Sequence, residues 1–288
     1  NLNMGRHQNK SHVEIHGHRG ARGHFPENTI ISFIEAVKTG VDAIEMDVVI
    51  SEDIQVVVSH EAWMNDVFCT RPDGKEVEKN SREKYNLFKM HYAEIVKYDC
   101  GKRGNAHFPL QAAIPAYKPL LGEVINKVDT FTRQNNLPPV KYNIEIKTEG
   151  PEGDDVFNPR PKQFAELVYN EVKKHTLTDR CNLQSFDVRI LQEIKKINPQ
   201  AEMALLVENE DGFEGNMNRL GFVPDTYSPD LYLVNHNLVQ KVKDKGMRLI
   251  PWTVNEEKDM QRLLALGVDG IITDYPDRAI ELIKKKQH

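Results

Sequence analysis

The feature that most constrains the fold is the alternation of short apolar runs with longer amphipathic segments along most of the chain. The first pair is an apolar run at residues 13–17, followed by a segment with apolar side chains three and four residues apart. This spacing is typical of a helix with one buried face, which Asn28 or Thr29 can cap and Gly40 can end. Short strands that alternate with helices favour a parallel sheet covered by helices.

The same alternation extends over the rest of the chain. Strands are predicted at residues 43–49, 141–147, 181–185, 202–207, 248–254 and 270–273, with a weaker element at 224–227. Helices are predicted at residues 121–134, 161–174, 188–197, 238–245, 256–266 and 277–286. A generous count gives about eight βα units, which favours an α/β fold closed into a (β/α)8 TIM barrel over an open doubly wound sheet. A chain of 288 residues fits one such domain, spanning residues 13–286.

Residues 61 to about 118 interrupt the alternation, and we call this segment the insertion. It follows the second strand and the adjoining run Val56-Val57-Val58, contains the turn Arg71-Pro72-Asp73-Gly74, and lacks a helical or strand period. We expect it to have little regular structure and to lie over the catalytic end of the barrel. Its larger apolar side chains either line an apolar groove or pack the insertion itself: Phe68, Tyr85, Phe88, Met90 and Tyr92.

Charge and hydropathy restrict the partners that such a chain can have. The formal net charge of -5 disfavours nucleic acid as a partner. The apolar runs are far too short to cross a bilayer, which argues against stable membrane insertion. We therefore expect the partner to be a small-molecule substrate.

The cysteines and the first residue bear on the compartment. Cys69, Cys100 and Cys181 lack the close spacing of a zinc site. Cys69 and Cys100 can form a disulfide if the protein is exported, and three free thiols are the alternative. The chain starts at Asn1 rather than at a methionine. This leads us to expect that a leader has been removed and that the protein is periplasmic or secreted, with the cytoplasm as the alternative.

Charged residues occupy alternate positions of two predicted strands. Because successive side chains of a strand point to opposite faces, Glu45 and Asp47 share one face of their strand, and Glu145 and Lys147 share one face of another. We expect these four side chains to point into the barrel. Three carboxylates there fit an all-oxygen site for one divalent cation, Mg²⁺ or Ca²⁺. The alternative is a buried ion-pair network in which Lys147 neutralises Glu45 or Glu145 without a metal.

Two histidines end predicted strands at the rim where barrel enzymes place their catalytic groups. His18 ends the first strand, and His60 follows the run Val56-Val57-Val58. Histidines at such a rim can act as general acid and general base near neutral pH. Arg19 stands directly after His18, and both Arg19 and Lys147 can bind a phosphate group.

Several stretches occur in a fixed order along the chain and match a known pattern. They are His18-Arg19-Gly20, Pro26-Glu27-Asn28-Thr29, Ile44-Glu45-Met46-Asp47-Val48, Val57-Val58-Ser59-His60, Asn143-Ile144-Glu145-Ile146-Lys147, Pro251-Trp252-Thr253-Val254-Asn255 and Gly267-Val268-Asp269-Gly270-Ile271-Ile272-Thr273-Asp274-Tyr275-Pro276. Together they closely resemble the glycerophosphodiester phosphodiesterase family. The resemblance extends over residues 13–284, nearly the whole chain.

This resemblance implies a barrel with an insertion after its second strand, a divalent cation and hydrolysis of glycerophosphodiesters. Carried onto matching positions, it implies metal ligands at Glu45, Asp47 and Glu145, acid and base at His18 and His60, and phosphate contacts at Arg19 and Lys147. Trp252 resembles an aromatic wall of the substrate pocket, and a packed barrel tryptophan is the alternative. The chain departs from the family pattern at Glu61, where aspartate is usual, and at Asp53-Ile54, where Asp-Gly is usual.

The implied reaction releases glycerol 3-phosphate and an alcohol. One histidine takes the proton of a glycerol hydroxyl, which attacks phosphorus to give a cyclic phosphate that water then opens, and the other histidine protonates the leaving alcohol. One alternative is a barrel phosphodiesterase that acts on lysophospholipids or sphingolipids through an apolar groove at its mouth. Another is a phosphodiester-binding barrel without catalysis.

Overall fold

Eight parallel strands surrounded by helices form a nearly closed barrel, as the alternation predicts. The computed structural model describes residues 12–286, so Asn1, on which the expected leader removal depends, lies outside the described residues. The strands are β1 (Glu14–Gly17), β2 (Ala43–Ile50), β3 (Val56–Val58), β4 (Lys141–Ile146), β5 (Cys181–Ser185), β6 (Met203–Val207), β7 (Thr226–Pro229), β8 (Arg248–Leu249) and β9 (Gly270–Thr273). The helices are α1 (Ile30–Thr39), α2 (Tyr92–Ile95), α3 (Leu121–Gln134), α4 (Pro161–Lys174), α5 (Val188–Ile197), α6 (Gly212–Leu220), α7 (His236–Asp244), α8 (Glu257–Leu266) and α9 (Pro276–Lys286).

The barrel wall follows the order β8-β7-β6-β5-β4-β2-β1-β9, and β3 is an antiparallel partner of β2 outside this path. Individual backbone hydrogen bonds, rather than regular strand pairing, join the two ends of the wall. Asp269 N donates to Leu249 O over 2.9 Å, and Ile272 N donates to Pro251 O over 3.0 Å. The carboxyl ends of the eight parallel strands therefore form one rim, where loops from distant parts of the chain meet.

Helix α1 shows how local sequence sets the ends of an element. Thr29 is its N-cap and accepts a hydrogen bond from Ser32 N, and Gly40 ends it in the left-handed conformation with φ of 104°. Phe33 is fully buried between the helix and the barrel core. The predicted cap and end of this helix are thus confirmed.

The observed elements differ from the prediction in two places. No helix was predicted at α6, where Gly212, Gly215 and Asn216 have low helix propensity, but burial of Phe213 and Leu220 stabilises it. The predicted strand at residues 248–254 is regular only in β8, because its continuation includes a proline without an N–H group. The weak element at 224–227 is the regular strand β7.

The insertion has its own apolar cluster and a disulfide. Its regular structure is limited to the short α2 and one turn of 3-10 helix at Leu87–Lys89. Phe68, Tyr85 and Met90 are buried in the cluster. The Cα atoms of Cys69 and Cys100 lie 4.0 Å apart, and the two residues form a disulfide.

The other two apolar side chains considered for a groove also pack inward. Tyr92 packs against the insertion cluster, and Phe88 packs against the barrel core. The apolar side chains considered for a groove therefore pack within the protein. Over residues 12–286, none of the helices has the length and apolar character needed to cross a membrane.

Candidate active site

Three carboxylates converge inside the barrel. Glu45 and Asp47 lie on β2, Glu145 lies on β4, and Asp47 and Glu145 are register partners. One oxygen atom from each carboxylate lies within 4.8 Å of the other two. Burial, together with the charge of neighbouring carboxylates, raises the pKa of both Glu45 and Glu145 well above its usual range. Three ionised carboxylates at this spacing require a compensating cation.

The carboxylate set fits a hard divalent cation. Its donors are all oxygen atoms, and Glu145 Oε2 is buried without a hydrogen-bond partner among residues 12–286. Gln184 Nε2 donates to Glu45 Oε1 over 3.3 Å and orients that carboxylate. The charge of Lys147 partly opposes the rise in the Glu145 pKa. These residues could thus hold a metal ion.

Asp47 differs from the other two carboxylates. Burial favours its neutral form, but the charges of His60 and Arg19 and a hydrogen bond from Asn28 outweigh burial and lower its pKa to about 2. Asn28 Nδ2 donates to Asp47 Oδ2 over 3.0 Å. Asp47 is therefore the carboxylate whose ionised form the surrounding protein stabilises.

His18 is held by a carboxylate from the opposite end of the chain. Its Nδ1 lies 2.7 Å from Asp274 Oδ1, and its Nε2 lies 3.8 Å from Glu45 Oε2. Arg22 and Asn255 both donate to Asp274, over 2.7 Å and 2.8 Å, and fix its orientation. Burial lowers the pKa of His18, while Asp274 opposes this change. The imidazole is thereby fixed with Nε2 toward the carboxylates.

Arg19 links the loop after β1 to the carboxylates. Its backbone has φ of 52°, and its N–H donates to Glu45 Oε2 over 3.0 Å. Its guanidinium donates to Glu27 Oε2 over 3.0 Å and lies 3.6 Å from Asp47 Oδ2. Although burial disfavours the charge, Glu27 and Asp47 raise the Arg19 pKa. Arg19 therefore presents a permanent positive charge.

His60 stands on the loop after β3. Its Nδ1 lies 3.3 Å from Glu61 Oε1, and its side chain is 29% exposed. Asn65 Nδ2 donates to the same Glu61 oxygen over 2.8 Å. Burial disfavours the ionised form of Glu61. The hydrogen bond and the charge of His60 outweigh burial, together with the charge of Lys118, and lower the pKa of Glu61. Glu61 is thus a permanent negative charge beside His60.

A single cleft of about 260 Å³ connects these groups. Its lining includes seven of the eight site residues predicted from the sequence: His18, Arg19, Glu45, His60, Glu145, Lys147 and Trp252. The eighth, Asp47, lies beside Arg19 at the carboxylate cluster. Trp252 Nε1 donates to Ser228 O over 2.8 Å, and its ring packs edge-on against Phe186 with 5.6 Å between ring centroids. Trp252 is therefore both packed into the barrel and part of the cleft wall.

Sequence reasoning missed residues that orient the site. Asp274 directly follows the last strand, at the same rim as His18, and this position was the available signal. Arg22 and Glu27 lie in the loop that follows His18. The partner of Arg22 is Asp274, which is distant in sequence, and the contact of Glu27 with Arg19 becomes evident only after folding. Gln184 lies on β5 between Leu183 and Ser185, where one further polar side chain carries little information alone.

Comparison with known proteins agrees with this geometry. The sequence model of the Glycerophosphoryl diester phosphodiesterase family matches residues 18–278. A glycerophosphodiester phosphodiesterase of Caldanaerobacter subterraneus is 28% identical over 268 residues, which cover 93% of this chain and 96% of that protein. The crystal structure of a Silicibacter pomeroyi protein assigned to the glycerophosphoryl diester phosphodiesterases is 28% identical, with a TM-score of 0.84, and the match covers 95% and 94% of the two chains.

A second solved structure shares the fold. It is a phosphodiesterase of Oleispira antarctica in complex with its product sn-glycerol-3-phosphate, with a TM-score of 0.74 and 21% identity over 94% of this chain and 96% of that one. The match of the family sequence model covers most of the chain, including all eight predicted site residues. The protein is therefore a member of the glycerophosphoryl diester phosphodiesterase family, which is a family of hydrolases.

Proposed function

We propose that the protein hydrolyses glycerophosphodiesters, such as glycerophosphocholine or glycerophosphoethanolamine, to glycerol 3-phosphate and the alcohol. The observation that carries this proposal is the single cleft that two histidines and three cationic side chains line together with the buried carboxylates. That inventory suits acid and base catalysis on an anionic phosphodiester. Glu45, Asp47 and Glu145 would hold one Ca²⁺ or Mg²⁺ ion. When bound, this ion would supply positive charge that lowers the pKa of a substrate hydroxyl.

His18 is the proposed general base. Burial lowers its pKa and thus favours the neutral imidazole, which can accept a proton. Asp274 occupies Nδ1 and leaves Nε2 for the proton of the glycerol hydroxyl. Attack of that hydroxyl on phosphorus gives the cyclic phosphate that water opens.

His60 is the proposed general acid for the leaving alcohol. Its exposed fraction of 29% allows contact with a departing group, and Glu61 lies beside its Nδ1. Arg19 and Lys147 stabilise charge on the phosphoryl oxygens as it develops. Trp252 and Phe186 form an aromatic wall against the carbon atoms of the substrate.

The test is product formation by the purified protein, with and without a chelator. We expect glycerol 3-phosphate from glycerophosphocholine, loss of turnover with EDTA, and recovery when Ca²⁺ or Mg²⁺ is added back. His18→Ala should lower kcat by about 10²- to 10⁴-fold. His91→Ala is a matched control, since this histidine is 59% exposed and does not line the cleft. Binding of glycerophosphocholine without chelator-sensitive turnover would favour the non-catalytic barrel.

A parallel assay with lysophosphatidylcholine separates the lipid alternative. The large apolar side chains of the insertion that this alternative would use pack within the protein. We therefore expect turnover of the water-soluble diester to exceed that of the lysophospholipid. The reverse ranking would favour the lysophospholipid or sphingolipid phosphodiesterase.

We also propose that the protein works in the periplasm or outside the cell. The support is the Cys69–Cys100 disulfide, since such bonds persist in oxidising compartments. Thiol labelling of protein isolated from its native cells under acid quench should then find Cys181 as the free thiol after unfolding. Labelling of all three cysteines would instead favour the cytoplasm.

A further inference from the structure

A buried lysine joins the end of the insertion to the loop that carries His60. Lys118 is 6% exposed, and its Nζ donates to Ser59 Oγ over 2.9 Å. Removing an ammonium group from water is unfavourable unless nearby groups compensate for it. Three carboxylates do so here, since Glu61, Glu27 and Asp47 oppose the fall in Lys118 pKa that burial causes. Lys118 is therefore a buried, paired charge with specific partners rather than a solvated surface lysine.

The hydroxyl of Ser59 passes the effect of Lys118 to the loop. An ammonium group has only donors, so Ser59 Oγ must accept from Lys118 and is left with a single proton of its own to donate. That proton goes to the backbone oxygen of Glu61, which lies 2.6 Å from Ser59 Oγ. His60 is the residue between these two partners. The bond across it fixes the turn that carries the imidazole.

Other contacts hold both ends of this arrangement in place. Ser59 N donates to Asp47 O over 2.9 Å, which anchors the loop to the strand that carries two of the carboxylates. Tyr92 Oη donates to Lys118 O over 2.9 Å, and Val58 N donates to Pro119 O over 2.8 Å. The backbone on both sides of the Lys118–Ser59 bond is thus fixed, so the ammonium group reaches Ser59 from a rigid position.

We infer that Lys118 is a positioning residue for His60, acting through the Ser59 hydroxyl and the Glu61 carbonyl. The effect of Lys118 on turnover rests on the proposed role of His60 as general acid, whereas the effect of Lys118 on the position of the His60 imidazole does not. The insertion then contributes to catalysis through its last residues, without touching the substrate.

The first test is Lys118→Met, which keeps the length of the side chain and removes its donors. We expect kcat for glycerophosphocholine to fall by about tenfold to a hundredfold with KM within about threefold, because the change displaces a reacting group rather than a binding group. Lys97→Met is the matched control, since Lys97 lies exposed in the same insertion, and its kcat should equal that of the wild type.

The second test reads the imidazole directly and does not need activity. Protein labelled with ¹⁵N-histidine, in buffer that contains Mg²⁺, gives an imidazole signal for each histidine, and His60→Gln assigns that of His60. We expect this signal to shift or broaden in Lys118→Met and not in Lys97→Met. If the wild type itself shows no turnover, the proposed function fails while this measurement still decides the positioning role.

Ser59→Ala covers the case in which Lys118→Met does not fold. It removes the hydroxyl that connects the two partners, so it should reproduce both the fall in kcat and the altered His60 signal. Where both single variants fold, the kcat of the double variant should be no lower than that of the more affected single variant, because both substitutions remove the same chain of hydrogen bonds. A folded Ser59→Ala or Lys118→Met protein with wild-type kcat and an unchanged His60 signal would overturn the inference.

Discussion

His18 obtains its orientation from Asp274, which lies 256 residues further along the chain. Asp274 is buried, yet its pKa lies well below the usual range because the charges and hydrogen bonds of His18 and Arg22 outweigh burial. A fixed carboxylate at Nδ1 selects the tautomer of the imidazole and stabilises the cation that forms when Nε2 accepts a proton. This pair therefore acts as one unit in the proposed reaction.

Asp274→Asn should test that unit. An amide can neither stabilise the imidazolium nor fix the same tautomer, so we expect kcat to fall by roughly 10²-fold or more while KM changes little. Steady-state kinetics with glycerophosphocholine measures both constants. The matched control is Asp277→Asn, because Asp277 contacts the peripheral His24 with its side chain 51% exposed. Wild-type kcat in Asp274→Asn would show that His18 does not need this carboxylate.

At the same residue scale, the sequence predicted which charged side chains meet at the cleft better than the residues that orient them. Strand alternation was sufficient to bring Glu45, Asp47 and Glu145 together, because their spacing is regular within each strand. The partnership of Asp274 with His18 depends on the meeting of the first and last strands. No local pattern encodes such a contact, so the sequence offered only the position of Asp274 after the last strand and its place in the family motif.

Among the elements, the hairpin of β2 and β3 carries a local strain. Ile54 lies in its turn with φ of 55°, a conformation that is unfavourable for a β-branched residue and easy for glycine. Ile54 N donates to Ser51 O over 3.0 Å, and Ser51 N donates to Gln55 O over 3.1 Å, so the turn is hydrogen-bonded in spite of this strain. The Ile54 side chain is 52% exposed and contributes little to the core.

Ile54→Gly should therefore stabilise the protein. We expect a gain of about 0.5–1 kcal/mol in the free energy of unfolding, because relief of the left-handed strain exceeds the added chain entropy of glycine. Denaturant titration of both proteins measures this difference in the free energy of unfolding. Val223→Gly is the comparison, since Val223 is 53% exposed without a left-handed backbone and should lose stability. Equal losses in both variants would mean that the turn is not strained.

The insertion is a second element whose stability can be tested. Its disulfide joins residues separated by 31 positions, and closing a loop of that length lowers the entropy of the unfolded chain by an amount worth about 3.7 kcal/mol. We expect dithiothreitol, or the double variant Cys69→Ser with Cys100→Ser, to lower the melting temperature. The double variant should then be insensitive to dithiothreitol. A wild-type melting temperature that the reductant does not change would contradict this expectation.

At the element scale, predictions succeeded where the pattern was long and regular. The predicted bounds of α4 and α5 match the observed ones, because each has an uninterrupted apolar face and a clear start signal. α6 was missed because tertiary burial of two apolar residues overrides unfavourable local propensity there. The irregular continuation beyond β8 has a local cause, since its proline lacks the N–H group that a regular strand would use.

For the whole molecule, an ion pair reaches across the closing strand of the barrel. Glu14 on β1 lies 2.6 Å from Arg248 on β8, with β9 between these strands. Burial disfavours the Glu14 charge, but His16, Arg248 and Lys141 outweigh burial and lower its pKa to about 2. A carboxylate whose pKa falls on folding stabilises the protein at pH values above the pKa that this group has in the unfolded chain. That contribution is lost as pH falls from about 4.5 toward 2.

Glu14→Gln should remove this part of the pH dependence. We expect a loss of about 1–3 kcal/mol in the free energy of unfolding at neutral pH and a shallower slope between about pH 5 and pH 2. Denaturant titrations over that range give both values. Arg248→Met should change the slope in the same direction, since it removes one source of the depressed pKa. An unchanged slope in both variants would show that closure does not depend on this pair.

The contact of the first and last strands also sets the order in which a newly made chain acquires its site. Synthesis delivers Asp274 256 residues after His18, and the barrel can close only after β9, directly before Asp274, has been made. A nascent or partly translocated chain would therefore hold the carboxylates and both histidines without the partner that orients His18. On this topology, the proposed activity requires a chain made at least through Asp274, which would keep that activity away from the place of synthesis if the protein is exported.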